Sequence, residues 1–194
     1  MISEDYKLIS IMNIGQLNLH DFNCVPLNIN HGSQDIEEIL KINRFLIDPL
    51  LALKYETNNV FKTFILVDIK KGKIVGFYSL CVGSKRVFKE FKKLKSLPTV
   101  ENNKELPTVE LIWFGIDNKY QGQKLGTALM ENVFQTAYDI SKRAGVSFLA
   151  VNSLKRTKKF YEKLNFFDLG IPHKLNESLW MGVTIKEIKI AINK

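Results

Sequence analysis

Residues 33–57 place apolar side chains at the three- and four-residue spacing of an amphipathic helix. We expect Ser33, with Glu37 nearby, to cap the start of this region, and Pro49 to divide it into two helices. The side chains of the apolar stripe are Ile36, Ile39, Leu40, Phe45 and Leu46.

Two β-rich runs follow, FKTFILVDI (61–69) and IVGFYSLCV (74–82), and the KKGK turn between them predicts a β-hairpin. The later run VELIWFGID (109–117) is almost continuously apolar, which is typical of a strand covered on both faces. Residues 84–107, between these runs, are basic at first and then contain Pro and Asn. That composition predicts a short helix followed by a loop.

The chain after residue 124 alternates between helical and strand patterns. A helix closed by Gly145 is followed by a short buried strand (146–151), a helix (154–164) and a late strand (178–185). The stripe of the first helix consists of Leu125, Leu129, Val133, Phe134, Ala137 and Ile140. A hairpin followed by this alternation predicts one α/β domain with a mixed sheet over residues 1–194.

Composition fits that prediction. The chain has 194 residues, 45% of them hydrophobic and 25% charged, which is ordinary for one globular domain. No apolar run reaches the length of a membrane span, and the N-terminus lacks the basic-then-apolar pattern of a signal peptide. Cys24 and Cys81 share no motif spacing, so we expect buried thiols in a reducing compartment and a cytoplasmic location.

The net charge of +8 lies largely in two clusters, at residues 85–95 and 155–159. One interpretation is that these side chains form solvated helix faces; the other is that they attract the phosphate groups of a cofactor or a nucleic acid. We see no known nucleic-acid-binding module, so we favour the first interpretation, with a small anionic cofactor as an additional partner.

The segment YQGQKLG (120–126) lies between the predicted strand at 109–117 and the helix that begins near Leu125. A loop that opens a helix presents unpaired backbone N–H groups and the positive end of the helix dipole, and the two together bind phosphate. Glycine lets the backbone approach a phosphate closely. The segment is therefore a candidate pyrophosphate site.

This segment resembles motif A of the GCN5-related N-acetyltransferases (GNAT), in which Q/R-x-x-G-x-G/A follows a strand. Gln121 takes the Q/R position and Gly126 the last position, while Lys124 stands where glycine is usual. Farther along, FYEKLNF is similar to the family's FYEKLGF, with Asn165 in place of the glycine. The resemblance covers about residues 60–185. The two motifs in this order are together specific.

The resemblance implies a mostly antiparallel central sheet with helices on both faces and a splayed strand pair that holds acetyl-CoA. It also implies that acetyl-CoA donates an acetyl group to a primary amine by direct attack. The backbone of Phe114, Gly115 and Ile116 would hold the pantetheine arm. The other cofactor contacts implied by the family are Gln121, Gly122, Gln123, Lys124, Leu125, Gly126, Thr127 and, on the following strand, Asn152.

Lys124 raises a question about the backbone. A left-handed φ would cost a lysine about 1 kcal/mol, whereas a right-handed helical φ would cost it little. Because the helix begins here, we expect the right-handed conformation, with the ammonium adding positive charge near the phosphates.

Two side chains are candidate catalysts. The resemblance implies that Tyr161 of FYEKLNF protonates the leaving CoA thiolate; the alternative is a core tyrosine packed beside Phe160 and Leu164. Glu110 lies six residues before Ile116, the spacing of the general base in histone-type members of the family. The alternative is that Glu110 faces solvent at the strand entrance and that a water relay is the base.

Three functions stay open. The first is an N-acetyltransferase for a small-molecule or peptide amine, with residues 33–57 and 84–107 shaping the acceptor side. The second is a toxin-type acetyltransferase acting on aminoacyl-tRNA, to which LPTVELIWFGIDNKYQGQKLG is similar, although we expect this chain to be longer than those toxins. The third is a non-enzymatic acyl-CoA-binding sensor.

The sequence also bears on metals and on macromolecular partners. None of His20, His31 and His173 lies in a motif, and no cluster has metal-ligand spacing, so we expect no metal. We expect no membrane partner, regard tRNA as a less favoured partner than a small amine, and consider a homodimer possible.

Overall fold

The structure, a computed structural model, describes residues 3–29, 35–97, 105–171 and 178–193. Ser33, His31 and His173 lie outside the described residues. The strands are β1 Tyr6–Ser10, β2 Lys62–Asp68, β3 Lys73–Arg86, β4 Glu105–Ile116, β5 Phe148–Leu154, β6 Phe167–Asp168 and β7 Ser178–Thr184. The helices are α1 Asp35–Ile47, α2 Ala52–Thr57, α3 Lys89–Leu94, α4 Leu125–Ser141, α5 Lys158–Glu162 and α6 Ile185–Ile192.

The strands form one sheet in the order β1-β2-β3-β4-β5-β7-β6. β4 and β5 pair in parallel, whereas β1 with β2, β2 with β3, β5 with β7 and β6 with β7 pair antiparallel. The predicted mixed, mostly antiparallel α/β fold is therefore confirmed.

The chain divides into two compact units, which are described separately. The first unit comprises Met1–Cys81 and Ile112–Val133, and the second comprises Val82–Leu111 and Phe134–Lys194. The organisation as one domain over residues 1–194 stays a prediction.

The first unit is built on the antiparallel strands β1, β2 and β3 and the helices α1 and α2. The predicted division at Pro49 is confirmed, because α1 ends at Ile47 and α2 begins at Ala52. Aromatic rings fill its core: Phe22 meets Phe77 edge-on at 5.4 Å between ring centroids. The Phe45 ring stacks on Trp113 at 4.7 Å.

The second unit contains the paired strands β4, β5 and β7 and a buried apolar cluster. The parallel register of β4 and β5 runs from Thr108↔Phe148 to Leu111↔Val151. The splayed strand pair stays a prediction. The buried cluster consists of Val87, Phe91, Leu106, Phe148, Ala150 and Leu169, with Trp180 packed against it.

Several elements differ from the predictions. β1, β6 and α6 were not predicted, and the short helix predicted within residues 84–107 is present as α3. The helix expected to run to Gly145 ends at Ser141, and the helix expected over residues 154–164 begins as a 3-10 turn, so that α5 spans only Lys158–Glu162.

Helix α6 has a readable signal, because Thr184 and Glu187 form a capping box in which each side chain bonds the other's backbone N–H. Two-residue β6, in contrast, is too short to show a periodicity. Within the described parts of the chain, no helix combines the length and the apolar composition that a membrane-crossing segment needs.

Candidate active site

The segment between β4 and α4 turns through two left-handed residues. Gly122 has φ +79° and Lys124 has φ +61°, so the expectation of a right-handed φ at Lys124 is wrong. Helix α4 starts only at Leu125, and the chain leaving β4 needs the second left-handed residue to enter its first turn. The side chains of Gln121 and Gln123, which flank Gly122, are exposed.

The first turn of α4 presents backbone N–H groups as hydrogen-bond donors. Because the helix begins at Leu125, the N–H groups of Leu125, Gly126 and Thr127 have no intrahelical partner. A Cβ added to Gly122 would meet no atom within 4 Å, so the approach to the loop is open at that point. An exposed loop with free N–H groups at a helix N-terminus fits the pyrophosphate of acetyl-CoA.

One side of this loop is tied to residues 23–24. The backbone N–H of Asn23 donates to Asp117 Oδ2 at 3.0 Å. The side-chain amide of Gln121 donates to the carbonyl oxygens of Cys24 and Ile116, at 3.0 Å each. The Gln121 side chain therefore fixes the path of the loop, a role that the motif alone does not reveal.

The other side of the loop is tied to the β2–β3 turn. The Tyr120 hydroxyl donates to Asp68 Oδ2 at 3.1 Å, and the Lys71 ammonium donates to the Tyr120 oxygen at 3.3 Å. Burial alone would raise the pKa of Asp68, but the Lys71 N–H, the Tyr120 hydroxyl and the Lys71 charge together lower it below its usual value. Sequence reasoning missed these three residues.

The end of β4 holds the predicted pantetheine residues Phe114, Gly115 and Ile116. A Cβ at Gly115 would lie 3.0 Å from the Phe77 ring and 3.3 Å from the Phe22 ring. Glycine is therefore required for the close packing of the first unit at this point.

Glu110 lies on β4 in the second unit, and only 7% of it is exposed, so the solvent-facing alternative is wrong. Its Oε2 lies 2.8 Å from the Lys85 ammonium, and its Oε1 accepts a hydrogen bond from the Thr108 hydroxyl at 3.4 Å. The Lys85 ammonium also lies 4.1 Å from the centroid of the Trp180 ring. The carboxylate is thus paired, and Lys85 was not among the predicted site residues.

Tyr161 lies on α5, also in the second unit, with 6% of its surface exposed. Its ring contacts Phe160 and Phe166, with centroids 5.1 Å and 5.4 Å away. Burial raises its pKa, so the phenol is protonated near neutral pH. Among the described residues no hydrogen-bond partner reaches the hydroxyl. Asn165, in the family's glycine position, has φ +62°, a conformation that Asn tolerates better than most residues.

The candidate residues are divided between the two units. The loop and residues 114–116 belong to the first unit, whereas Glu110, Asn152 and Tyr161 belong to the second. Asn152 is exposed on β5, where it pairs with Trp180 of β7. In the part of the chain that the structure describes, no group of three or more His, Cys, Asp or Glu side chains is placed to hold a metal.

Comparison with solved structures shows the same fold. The toxin AtaT bound to the C-terminus of the antitoxin AtaR and acetyl-CoA, as a tyrosine-to-phenylalanine mutant, matches with a TM-score of 0.70 and 20% identity, over 98% of this chain and 100% of that one. A tyrosine-to-phenylalanine mutant of KacT matches with a TM-score of 0.74 and 21% identity, over 97% and 99%. AtaT complexed with acetyl-methionyl-tRNAfMet matches with a TM-score of 0.73 and 22% identity, over 96% and 99%.

The sequence comparisons bear on the family itself. None of the curated protein sequences compared with the chain matches it significantly. Residues 61–167, more than half of the chain, match the family model described as an acetyltransferase (GNAT) domain. The chain therefore belongs to the GNAT family of acetyltransferases and takes its acetyl group from acetyl-CoA.

Proposed function

We propose that this enzyme acetylates the α-amino group of an aminoacyl-tRNA. The observation that carries the proposal is the likeness to AtaT, whose complex with acetyl-methionyl-tRNAfMet matches over 96% of this chain and 99% of that one. The expectation that this chain is longer than such toxins is therefore wrong. That likeness extends beyond residues 61–167, which match the family model, to parts of the chain on either side of them.

The charge of the second unit supports a polyanionic acceptor. Some lysines of the basic clusters are structural: the buried Lys95 ammonium lies 2.6 Å from a carboxylate oxygen of Glu187 and 3.4 Å from the centroid of the Phe167 ring. The exposed basic residues of the two clusters are Arg86, Lys89, Lys93, Lys155, Arg156, Lys158 and Lys159, of which Lys158 lies 3.4 Å from a carboxylate oxygen of Glu162. Such residues neutralise phosphates and make nucleic-acid binding salt-dependent.

Acetyl-CoA supplies an acyl thioester, whose carbonyl carbon the acceptor amine attacks directly. The N–H groups of Leu125, Gly126 and Thr127 would hold the pyrophosphate, and the backbone of residues 114–116 would hold the pantetheine arm. Loop residues from Gln121 to Lys124 shape the same site. Asn152, exposed on β5, would add a further contact.

Glu110 takes the proton that the amine must lose. The acceptor is an ammonium ion at neutral pH and becomes a nucleophile only after it gives up that proton. A buried carboxylate on β4 is suited to this task, with the water relay as the alternative route.

Tyr161 supplies the second proton. When the C–S bond breaks, the CoA thiolate takes the phenolic proton, which makes it a better leaving group. The nitrogen loses its second proton as the amide forms, and that proton restores the phenol. The supporting observations are that its phenol is buried and that its pKa is raised, so that it is protonated when the thiolate forms.

The experiment is acetyl transfer from radiolabelled acetyl-CoA to three acceptors: an aminoacylated tRNA pool, the same pool after deacylation, and free amino acids with short peptides. We expect label only in the aminoacylated pool, with a rate that falls steeply with salt. The double variant Lys89→Ala with Lys93→Ala should raise KM for the tRNA. The matched control is Lys186→Ala with Lys189→Ala, which removes two exposed lysines of the same unit.

Labelling of peptides or amino acids without aminoacyl-tRNA would contradict the tRNA acceptor and support the small-amine enzyme. A thermal shift with acetyl-CoA and no transfer to any acceptor would support the sensor function instead. Ligand at about 100 times its Kd should add roughly 2.7 kcal/mol to the free energy of unfolding, so this measurement identifies acetyl-CoA binding independently of turnover.

A further inference from the structure

Lys85 and Trp180 lie beside Glu110 in the second unit, and the proposed role of Glu110 as the base accounts for neither of them. The Lys85 ammonium lies 2.8 Å from Glu110 Oε2 and 4.1 Å from the centroid of the Trp180 ring. A carboxylate and an aromatic face are the two groups that bind a primary ammonium ion most favourably in proteins. Glu110 and Trp180 therefore have the composition of a binding site for an ammonium ion, and the Lys85 ammonium occupies it.

The site is built by the surrounding strands. A Cβ at Gly83 would lie 2.3 Å from Glu110 Oε1, so the carboxylate occupies space that only glycine leaves. The Thr108 hydroxyl bonds the same oxygen. Trp180 packs against the buried cluster of the second unit, and its carbonyl accepts the N–H of Leu169 at 2.9 Å. Glu110 and Trp180 are thus held in place.

Of the three side chains, Lys85 is the one that a ligand can displace. Its side chain is 22% exposed, whereas that of Glu110 is 9% exposed. It reaches Glu110 from the end of β3 through four flexible methylene groups, and the neighbouring Ser84 and Arg86 are exposed. Moving this side chain outward breaks no backbone hydrogen bond.

Resting on the proposed function, we propose that Glu110 and Trp180 form the binding site for the acceptor's ammonium group, and that Lys85 fills this site until the acceptor displaces it. The acceptor nitrogen then passes one proton to Glu110, giving a neutral amine and a neutral carboxylic acid. No other bond forms or breaks in this step.

The chemistry of the product agrees with this assignment. Acetylation converts the ammonium into a neutral amide, which loses both the ion pair with Glu110 and the cation–π contact with Trp180. Glu110 then releases its proton to water, and the Lys85 ammonium returns to the carboxylate and assists product release. The ligand class is a primary ammonium ion.

The probe is n-butylammonium chloride, with n-butanol as its neutral counterpart, titrated into the ¹⁵N-labelled full chain. The chain has two tryptophans, so the indole N–H signal of Trp180 reports the site and that of Trp113 serves as internal control. We expect Lys85→Met to bind n-butylammonium with a Kd at least tenfold below that of the wild type. Lys85→Gln, which still donates to Glu110, is the second variant in case Lys85→Met does not fold.

Matched variants distinguish binding at Glu110 and Trp180 from a general effect of removing one positive charge. Lys85→Arg should resemble the wild type because a cation still fills the site, and the double variant Lys85→Met with Glu110→Gln should lose the gained binding. Lys189→Met removes an exposed lysine of the same unit and should leave the wild-type Kd.

An unshifted Trp180 signal in folded Lys85→Met or Lys85→Gln would overturn the proposal, as would equal shifts with n-butanol. The titration needs neither acetyl-CoA nor turnover. A failure of the proposed function therefore appears separately, as the absence of acetyl transfer or of a thermal shift with acetyl-CoA.

Discussion

The Tyr120 hydroxyl donates a hydrogen bond of 3.1 Å to the carboxylate of Asp68, which lies 52 residues earlier in the chain. Tyr120 directly precedes the loop that opens α4, and Asp68 ends β2. Both side chains are buried. The start of the loop before α4 is therefore fixed to the strands of the first unit and not only to its sequence neighbours.

Tyr120→Phe should lower the free energy of unfolding by about 2 kcal/mol, because a buried carboxylate loses a hydrogen-bond donor. It should also weaken acetyl-CoA binding, since the loop loses one of its anchors. Urea unfolding and calorimetric titration with acetyl-CoA measure the two effects. Tyr138→Phe is the control, because no hydrogen-bond partner reaches its hydroxyl among the described residues; equal losses in both variants would contradict the assignment.

Asp68 should make stability depend on pH in the acid range. Its pKa is lower in the folded protein than in the unfolded chain, so its contribution is fully present above the unfolded value of about 4 and is lost as the pH falls through the folded value. Asp68→Asn should lose less unfolding free energy than the wild type between about pH 5 and pH 2. Asp139→Asn, whose carboxylate is exposed and screened, should keep a slope close to that of the wild type.

Local signals in the sequence were sufficient for much of the fold. The hairpin of β2 and β3, the division at Pro49 and the start of α4 were predicted because periodicity and turn residues act over a few positions. Both family motifs were readable for the same reason. The Thr184 capping box was equally local, and α6 could have been predicted from it.

The contacts around the site were not local. Lys85 meets Glu110 because β3 and β4 bring them together across 25 positions of the chain, and no spacing rule connects the two. The φ of Lys124 depends on the path from β4 into α4, which the order of residue types does not specify. Sequence patterns thus identified the candidate catalysts but not their partners.

Lys124→Gly should stabilise the protein, because glycine adopts φ +61° without the strain that lysine carries. The expected gain in unfolding free energy is about 0.5–1 kcal/mol, since the greater freedom of glycine in the unfolded chain offsets part of the relief. Gln123→Gly is the neighbouring control and should destabilise by a similar amount. Equal effects of the two substitutions on urea unfolding would rule out backbone strain at Lys124.

Tyr161→Phe should lower kcat by about 10²-fold or more and leave the affinity for acetyl-CoA unchanged, because the variant loses only the proton donor. Its stability should stay near the wild-type value, since the ring contacts with Phe160 and Phe166 persist and the hydroxyl has no partner among the described residues. Release of free CoA at saturating acetyl-CoA measures the rate. A wild-type kcat would show that Tyr161 is a core residue only.

Gly83→Ala tests whether the position of the Glu110 carboxylate matters. The new Cβ would lie 2.3 Å from Glu110 Oε1, so the carboxylate must leave its contacts with Lys85 and Thr108. Since the displaced group is the end of a flexible side chain, stability should fall by only about 1–2 kcal/mol, whereas a displacement of about 1 Å at a reacting group costs about 10²-fold in rate.

Gly145→Ala is the matched control, because no atom lies within 4 Å of its added Cβ. It should keep both the wild-type stability and the wild-type kcat. If Gly83→Ala retains full activity while its unfolding free energy falls, the carboxylate at Glu110 serves the fold and the water relay carries the proton.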